Sequence, residues 1–404
     1  MDVDKIYEEK IRGKYKFPFF LKEKQTQIIE NVMRGNHSVG ILPTGYGKSI
    51  CFQILPILHE EVFGQKKIAL VFSPLKSLMY DQCAATTSQG ISSICIVQRT
   101  DMSDETIEGI KKGLYSLVYL SPEILLKFKF WHEILVESAV YQEQICAIVI
   151  DEVHLLETWG EKFRTTFQRL GELRSHFTNV PFLLLTATCT DSMLQSILRK
   201  LYIQDPIIES LCPDRPNIFL KYKSEPGMEP LVEIKWYLDE IKEKGVGADK
   251  AILYVRSVTA VGTLFRDIMG NLRDDGYKDR TKRSQNRLVG EFHGALEDHD
   301  QKKILCSFLK PESPVRLLIC TVAFGLGVNI PDIRYVIHWG ACDSLLQYWQ
   351  EVGRAGRDGQ PSVAYYYAVR TSLIHVEDDM QKLCGNIKNG SAKCFRHGVL
   401  CVAF

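Results

Sequence analysis

Residues Pro43–Ser49 read Pro-Thr-Gly-Tyr-Gly-Lys-Ser and stand between the apolar run Ser38–Leu42 and a helix-like stretch opening at Ile50. This order of strand, glycine loop and helix constrains the fold more than any other feature of the chain. Gly45 and Gly47 let backbone N–H groups turn inward onto phosphate, Lys48 brings a point charge, and Ser49 offers a hydroxyl to Mg²⁺. Thr44, Gly45, Gly47, Lys48 and Ser49 are therefore the candidate contacts for ATP. Leu42 stands where the longer G-x-x-x-x-G-K-[ST] pattern has its first glycine, so the loop is a tighter form. A glycine-rich turn with a surface lysine is the plain alternative. Agreement of strand, loop and helix argues against it.

Short β-branched or Leu-rich runs recur around this loop: Ser38–Leu42, Ile68–Ser73, Ser116–Leu120, Ala147–Ile150 and Phe182–Thr186, with helix-like stretches between them. A second series begins after Pro216 with Ala251–Val255, Val289–Phe292, Val315–Cys320 and Val336–His338. Strands alternating with helices predict mostly parallel sheets flanked by helices, here an α/β fold of two tandem units. The joint is expected between Leu211 and Pro230, where Pro213, Pro216, Pro226 and Gly227 punctuate the chain. Residues 1–211 and 212–383 are the two expected domains, and order is expected to become doubtful beyond 384.

A second motif follows about a hundred residues after the loop. The buried run Ala147–Ile150 ends in Asp151-Glu152-Val153-His154. Asp151 at a strand tip can hold Mg²⁺ through water, and Glu152 can orient and deprotonate an attacking water. Hydrolysis is then expected, beyond binding. Alone, the pair also fits a solvated turn.

Far downstream, Gln350-Glu351-Val352-Gly353-Arg354-Ala355-Gly356-Arg357 sets two arginines three apart, which on a helix would point them the same way. Such arginines can stabilise transition-state charge on a γ-phosphate when two lobes close on a nucleotide cleft. Lys48, Asp151, Glu152, Gln350, Arg354 and Arg357 make up the candidate catalytic set. A salt-bridged helix end is the plain alternative for the arginine string.

With fifty Lys and Arg against 49 Asp and Glu, a nucleic-acid partner cannot be argued from bulk charge. The twelve cysteines are scattered singly, mostly in apolar strings, which fits buried thiols in a reducing compartment. No apolar signal core or run of membrane-spanning length occurs, so no membrane association is expected.

In their order along the chain these motifs resemble the catalytic core of the RecQ family of DNA helicases, a branch of superfamily 2 with two RecA-like P-loop domains. Leu21–Gln25 resembles the family's adenine-reading segment, with Gln25 at the base-pairing position and Lys22 in place of the usual arginine. Ser73-Pro74-Leu75-Lys76-Ser77-Leu78-Met79 and Tyr119-Leu120-Ser121-Pro122-Glu123 resemble its DNA-facing segments, which implies DNA contacts at Ser73, Pro74, Ser121 and Pro122. Thr186-Ala187-Thr188 is similar to the motif linking ATP state to DNA grip. Asp214-Arg215-Pro216-Asn217 resembles a family string at the lobe junction.

The segment His154 to Arg164 resembles the family's aromatic-rich loop; Trp159 and Phe163 offer stacking faces to bases and Arg164 a cation to phosphate. In the second unit, Ala251–Tyr254, Phe292–Leu296 and Thr321–Pro331 resemble further family motifs. They imply DNA contacts at His293 and Thr321 and an ATP contact at Asn329. The resemblance implies a 3′ to 5′ DNA helicase using ATP and Mg²⁺ on single-stranded, tailed or branched DNA in repair or recombination; a monomer in the nucleus is expected, with the cytosol as the open alternative. An RNA helicase, or a DNA-stimulated translocase, clamp or annealing protein, stays open as an alternative.

The departures are specific. Valine replaces alanine in the acidic box, and Leu155, Leu156, Glu161 and Lys162 replace the common aromatic-loop pattern. Val255-Arg256-Ser257-Val258 replaces the usual C-N-S-R ending. Residues 271–290 carry six Lys or Arg against three Asp, which reads as a solvated or a DNA-facing basic loop. Cys384, Cys394 and Cys401 complete no recognised zinc spacing, so no structural zinc is expected and residues 384–404 read as a remnant of the family's zinc subdomain. Unwinding is expected to suffer more than ATP hydrolysis.

Overall fold

A computed structural model describes residues 2–73, 76–96, 102–158, 169–223, 227, 229–279, 282–310, 312–325, 330–369, 372, 376–388 and 394–403. The chain divides into two compact units, Met1–Pro213 and Asp214–Phe404. In the first, β1 (Ser38–Ile41), β2 (Ile68–Phe72), β3 (Ser93–Ile96), β4 (Leu117–Leu120), β5 (Ile145–Ile150), β6 (Phe182–Thr186) and β7 (Ile207–Ser210) form one sheet. Its order is β3-β4-β2-β5-β6-β1-β7, with every pairing parallel. The second unit holds β8 (Ile218–Lys223), β9 (Lys250–Val255), β10 (Val289–Phe292), β11 (Leu317–Cys320), β12 (Ile333–Trp339) and β13 (Ser362–Tyr367). They pair in parallel in the order β10-β11-β9-β12-β13-β8. The expected α/β class with two parallel-sheet units is what the chain adopts.

Helices on both faces bury each sheet twice, which is why the central strands read as continuous apolar runs. In β2, Leu70 and Phe72 pack into one core and Ala69 and Val71 into the other; in β5, Ile148 and Ile150 oppose Ala147 and Val149 in the same way. The helices that matter for the site are α1 (Glu23–Met33), α2 (Lys76–Ser88), α3 (Val258–Leu272), α4 (Leu345–Val352), α5 (Asp378–Lys388) and α6 (Phe395–Ala403). Among the described residues no helix is long and apolar enough to cross a membrane.

Four strands differ from the expectation. β3, β7 and β8 lie at sheet edges, and β7 and β8 alternate exposed residues with residues that are mostly only half-buried, in place of a fully buried run. β13 is built largely from tyrosines. β8 also falls inside the stretch expected to be the joint, and the division between the units sits before it.

Described residues at and beyond 384 pack onto the second unit. Cys384 on α5 and Phe395 and Val399 on α6 belong to the second unit's core. The Phe395 ring lies 4.7 Å from Tyr222 and 5.7 Å from both Tyr348 and Tyr366.

Candidate functional site

Strand order builds the first half of the site. β5, β6 and β1 are neighbours, so the acidic box, Thr186–Thr188 and the glycine loop emerge side by side at the carboxyl ends of parallel strands, the place where open α/β sheets bind ligands. Gly45 and Gly47 take φ of +82° and +92°, a region that favours glycine. At Gly47 a Cβ would also meet Gln25 Nε2 at 2.8 Å. Lys48 Nζ donates to Leu42 O at 3.2 Å.

Gln25, at the start of α1, is buried against this loop. Its Nε2 donates to Tyr46 O at 2.9 Å and Gly47 O at 3.0 Å, while Oε1 accepts from the Lys22 backbone N–H at 2.8 Å. Lys22 Nζ donates to Tyr46 O at 3.1 Å and lies 4.3 Å from the centre of the Tyr46 ring. The segment expected to face adenine thus holds the backbone of the phosphate loop.

Asp151 is 4% exposed. Burial, and then the adjacent Glu152, hold its carboxyl above the usual carboxylate range, and Lys48 pulls the other way. Its Oδ1 accepts from the Glu152 N–H at 2.9 Å. Its Oδ2 accepts from Gln82 Nε2 at 3.1 Å, and the same nitrogen reaches Ser49 Oγ at 3.4 Å. One amide therefore gathers both proposed Mg²⁺ ligands, and this hydroxyl and carboxylate form a hard oxygen donor set suited to that ion. A cation there would also reverse the upward shift of Asp151. Sequence reasoning misses Gln82; only its place on α2, after β2 and beside β5, marks it out.

Glu152 itself adopts φ +51°, a left-handed conformation that costs a non-glycine residue free energy and tends to occur at functional sites. In the sequence His154 is only the end of the box. Its Nδ1 lies 2.9 Å from Thr186 Oγ1 and 3.4 Å from Glu152 Oε2, and Thr186 Oγ1 donates to Thr188 O at 2.8 Å. Burial, and then Lys48, push the His154 imidazole down to about 3, so it stays neutral near pH 7. The acidic box and the Thr-Ala-Thr motif are joined through this ring.

In the second unit the paired-arginine expectation needs correction. Gln350 lies on α4, which ends at Val352, so Arg354 and Arg357 sit in the turns that follow and do not share a helix face. Arg354 is buried and Arg357 half-buried. Gly356, in the turns past the helix end, has φ +53°, and a Cβ there would meet Asn217 Nδ2 at 2.5 Å.

The same segment explains the Asp-Arg-Pro-Asn string. Arg215 donates to the carbonyls of Gly353 at 3.3 Å, Ala355 at 3.1 Å and Gly356 at 2.8 Å. Asn217 Nδ2 donates to Gly356 O at 2.9 Å and Gln360 O at 3.0 Å. Arg396 on α6 in turn pairs with Asp214 and donates to Arg215 O at 3.3 Å.

The proposed DNA contacts also follow strand ends. Ser73 comes after β2, Ser121 and Pro122 after β4, His293 after β10 and Thr321 after β11. Ser73, Ser121, Pro122 and Thr321 are buried and His293 is half-buried. Pro74, Trp159, Phe163, Arg164 and Asn329 lie outside the described residues.

Two family models match the chain: DEAD/DEAH box helicase over residues 22–197 and helicase conserved C-terminal domain over residues 237–359. The ATP-dependent DNA helicase RecQ of Synechocystis sp. (strain ATCC 27184 / PCC 6803 / Kazusa) is 30% identical, over 88% of this chain and 69% of its own length. RecS of Bacillus subtilis (strain 168) is 32% identical over 85% of this chain and 63% of its own. The ATP-dependent helicase wrn-1 of Caenorhabditis elegans is 30% identical, also over 85% of this chain, but the match spans 30% of that relative. Across several such relatives the chain spans 30% to 63% of their length. Among solved structures, the helicase MrfA bound to DNA superposes with a TM-score of 0.71 at 18% identity, covering 94% of this chain and 53% of that one. Mss116p bound to ssRNA and AMP-PNP superposes with a TM-score of 0.69 at 19% identity, covering 96% and 78%. At those identities the likeness speaks for the fold alone.

Proposed function

The chain belongs to the RecQ family of helicases, and from that premise we propose that it is an ATP-dependent DNA helicase moving 3′ to 5′ on single-stranded, tailed or branched DNA. The observation that carries the reading is the convergence of Ser49, Asp151 and Gln82 beside the glycine loop, with Glu152 next in the chain.

Thr44, Gly45 and Gly47 present loop backbone to the phosphates of ATP, Lys48 adds its charge, and Gln25 on α1 and Lys22 just before it steady the loop. Ser49 and Asp151 would hold Mg²⁺, which when bound neutralises charge developing on the phosphates. Glu152 takes a proton from the attacking water. Gln350, Arg354 and Arg357, with Asn329, are the second unit's proposed contribution. DNA is engaged by Ser73, Pro74, Ser121, Pro122, His293 and Thr321, with Trp159 and Phe163 as stacking faces and Arg164 on phosphate. DNA as substrate is supported by the relatives named as DNA helicases. Action as a monomer in nuclear repair or recombination completes the reading.

The test is steady-state ATP hydrolysis with and without single-stranded DNA or RNA, beside unwinding of a 3′-tailed duplex, for this chain and for Glu152→Gln. DNA-stimulated hydrolysis with unwinding is expected, and loss of the base should cut hydrolysis by about 10²–10⁴-fold while ATP still binds. Stimulation by RNA in preference to DNA, or no stimulation, would sink the proposal. Stimulated hydrolysis without unwinding would make the chain a translocase or clamp.

A further inference from the structure

Past the carboxyl end of β12 the chain turns through Gly340, at φ +97°, and the next residues bring Cys342 to His338. Glu351 reaches the same point from α4. His338 Nε2 lies 2.7 Å from Glu351 Oε2, and Cys342 Sγ lies 3.4 Å from that oxygen. The three ligand atoms are all within 4.8 Å of one another. The side chains are buried, at 1%, 6% and 3% exposure for His338, Cys342 and Glu351.

A buried imidazole–carboxylate bond that merely fastens a helix to a sheet is the plain reading. Two features exceed it. Cys342 adds a second donor to the same oxygen, and His338 Nδ1 is buried without a hydrogen-bond partner, so the cluster is not a closed network. The cluster also lines a cavity of about 160 Å³, with Arg256, Asp343 and Gln347 on its wall. That volume is ample for an ion with a water ligand and supplies an entry path.

We propose that His338, Cys342 and Glu351 form a binding site for a thiophilic divalent cation of the zinc class, with water from the cavity as fourth ligand. Sulfur, imidazole nitrogen and one carboxylate oxygen make the donor set such ions prefer, whereas Mg²⁺ and Ca²⁺ select oxygen. Tetrahedral zinc spaces its ligand atoms about 3.3–3.5 Å apart. The sulfur–oxygen separation already fits, and the nitrogen–oxygen pair needs to open by less than about 1 Å as coordination replaces its hydrogen bond. Cys342 releases its thiol proton to solvent on binding. The carboxylate is pre-oriented, since Gln347 Nε2 donates to Glu351 Oε1 at 3.0 Å, and the His338 ring is held by stacking on Tyr254 with centroids 5.1 Å apart. The Cys384, Cys394 and Cys401 spacing plays no part. An ion here would fasten the end of α4 next to Gln350, but binding itself is independent of the hydrolysis reading.

Cobalt(II) titrated into the intact chain is the probe, read by its thiolate-to-metal charge-transfer absorption and its tetrahedral d–d bands, with zinc as competitor. The expected result is one thiolate-ligated cobalt per chain, displaced by zinc and lost in Cys342→Ala. Cys306→Ala removes an exposed thiol and should leave the spectrum unchanged. Cys342→Ser keeps the size and a hydrogen-bonding group should the alanine variant fail to fold, and it too should lose the band. A wild-type chain without the charge-transfer band, or a band that survives both Cys342 substitutions, overturns the proposal.

Discussion

Gln82 Nε2 donates a hydrogen bond to Asp151 Oδ2 at 3.1 Å, tying the helix after β2 to the carboxylate at the end of β5. The same nitrogen reaches Ser49 Oγ at 3.4 Å, so one amide sets the spacing of two proposed metal ligands. Outer-shell partners of this kind are typically worth about 10–100-fold in metal affinity or activity. Gln82→Ala is expected to raise the Mg²⁺ concentration needed for hydrolysis by that factor. Gln82→Glu should be worse, because it adds a carboxylate beside Asp151 and Glu152. ATP hydrolysis measured across a Mg²⁺ series checks this; a loss of melting temperature with unchanged Mg²⁺ dependence would assign Gln82 a purely structural role.

Arg215 holds the carbonyls of Gly353, Ala355 and Gly356 and so shapes the turn that carries Arg354 and Arg357. Arg215→Ala strands these acceptors and should destabilise the second unit by about 1–3 kcal/mol. Hydrolysis should fall while ATP affinity stays near that of the parent. Arg215→Lys, which cannot reproduce the planar fork, should recover only part of both losses. Unfolding curves read beside kcat separate the two effects.

Phe395 packs among Tyr222, Tyr348 and Tyr366. Phe395→Ala is expected to destabilise the second unit by about 3–5 kcal/mol, measured by denaturant unfolding. An effect below about 1 kcal/mol would show that α6 is dispensable to that core.

His154 is held neutral in the folded chain, its imidazole pushed down to about 3 from an ordinary 6.5, chiefly by burial. The unfolded chain therefore takes up this proton first as pH falls. Its contribution is fully present above pH 6.5 and is lost as pH drops toward about 3. The slope should reach about 1.4 kcal/mol per pH unit for this one proton. His59, pushed down to about 4 by burial, acts in the same direction. Melting temperatures from pH 7 to 4 should show the decline, and His154→Gln should flatten it.

Chemistry written within a few consecutive residues is legible in the amino-acid sequence alone. Backbone geometry by itself relates Gly45, Gly47 and Lys48, or a buried strand and the Asp151-Glu152 at its tip, and the apolar runs of β2, β5 and β11 announce strands buried on both faces. The edge strand β8 is not legible, because one-sided burial leaves alternating Phe219, Lys221 and Lys223 exposed and breaks the run. The placement of Arg354 and Arg357 beyond the end of α4 is equally hidden, since the turn they occupy is held by Arg215 and Asn217 far away in the chain. The local sequence by itself determined the phosphate loop, the acidic box and the two-unit α/β class. Only the tertiary structure decided that Gln82 meets Asp151, that His154 meets Thr186, that Arg215 holds the arginine turn and that Cys342 meets Glu351. Each of these contacts follows from a strand order or helix packing chosen by burying both faces of a whole sheet, a condition no short stretch of sequence carries.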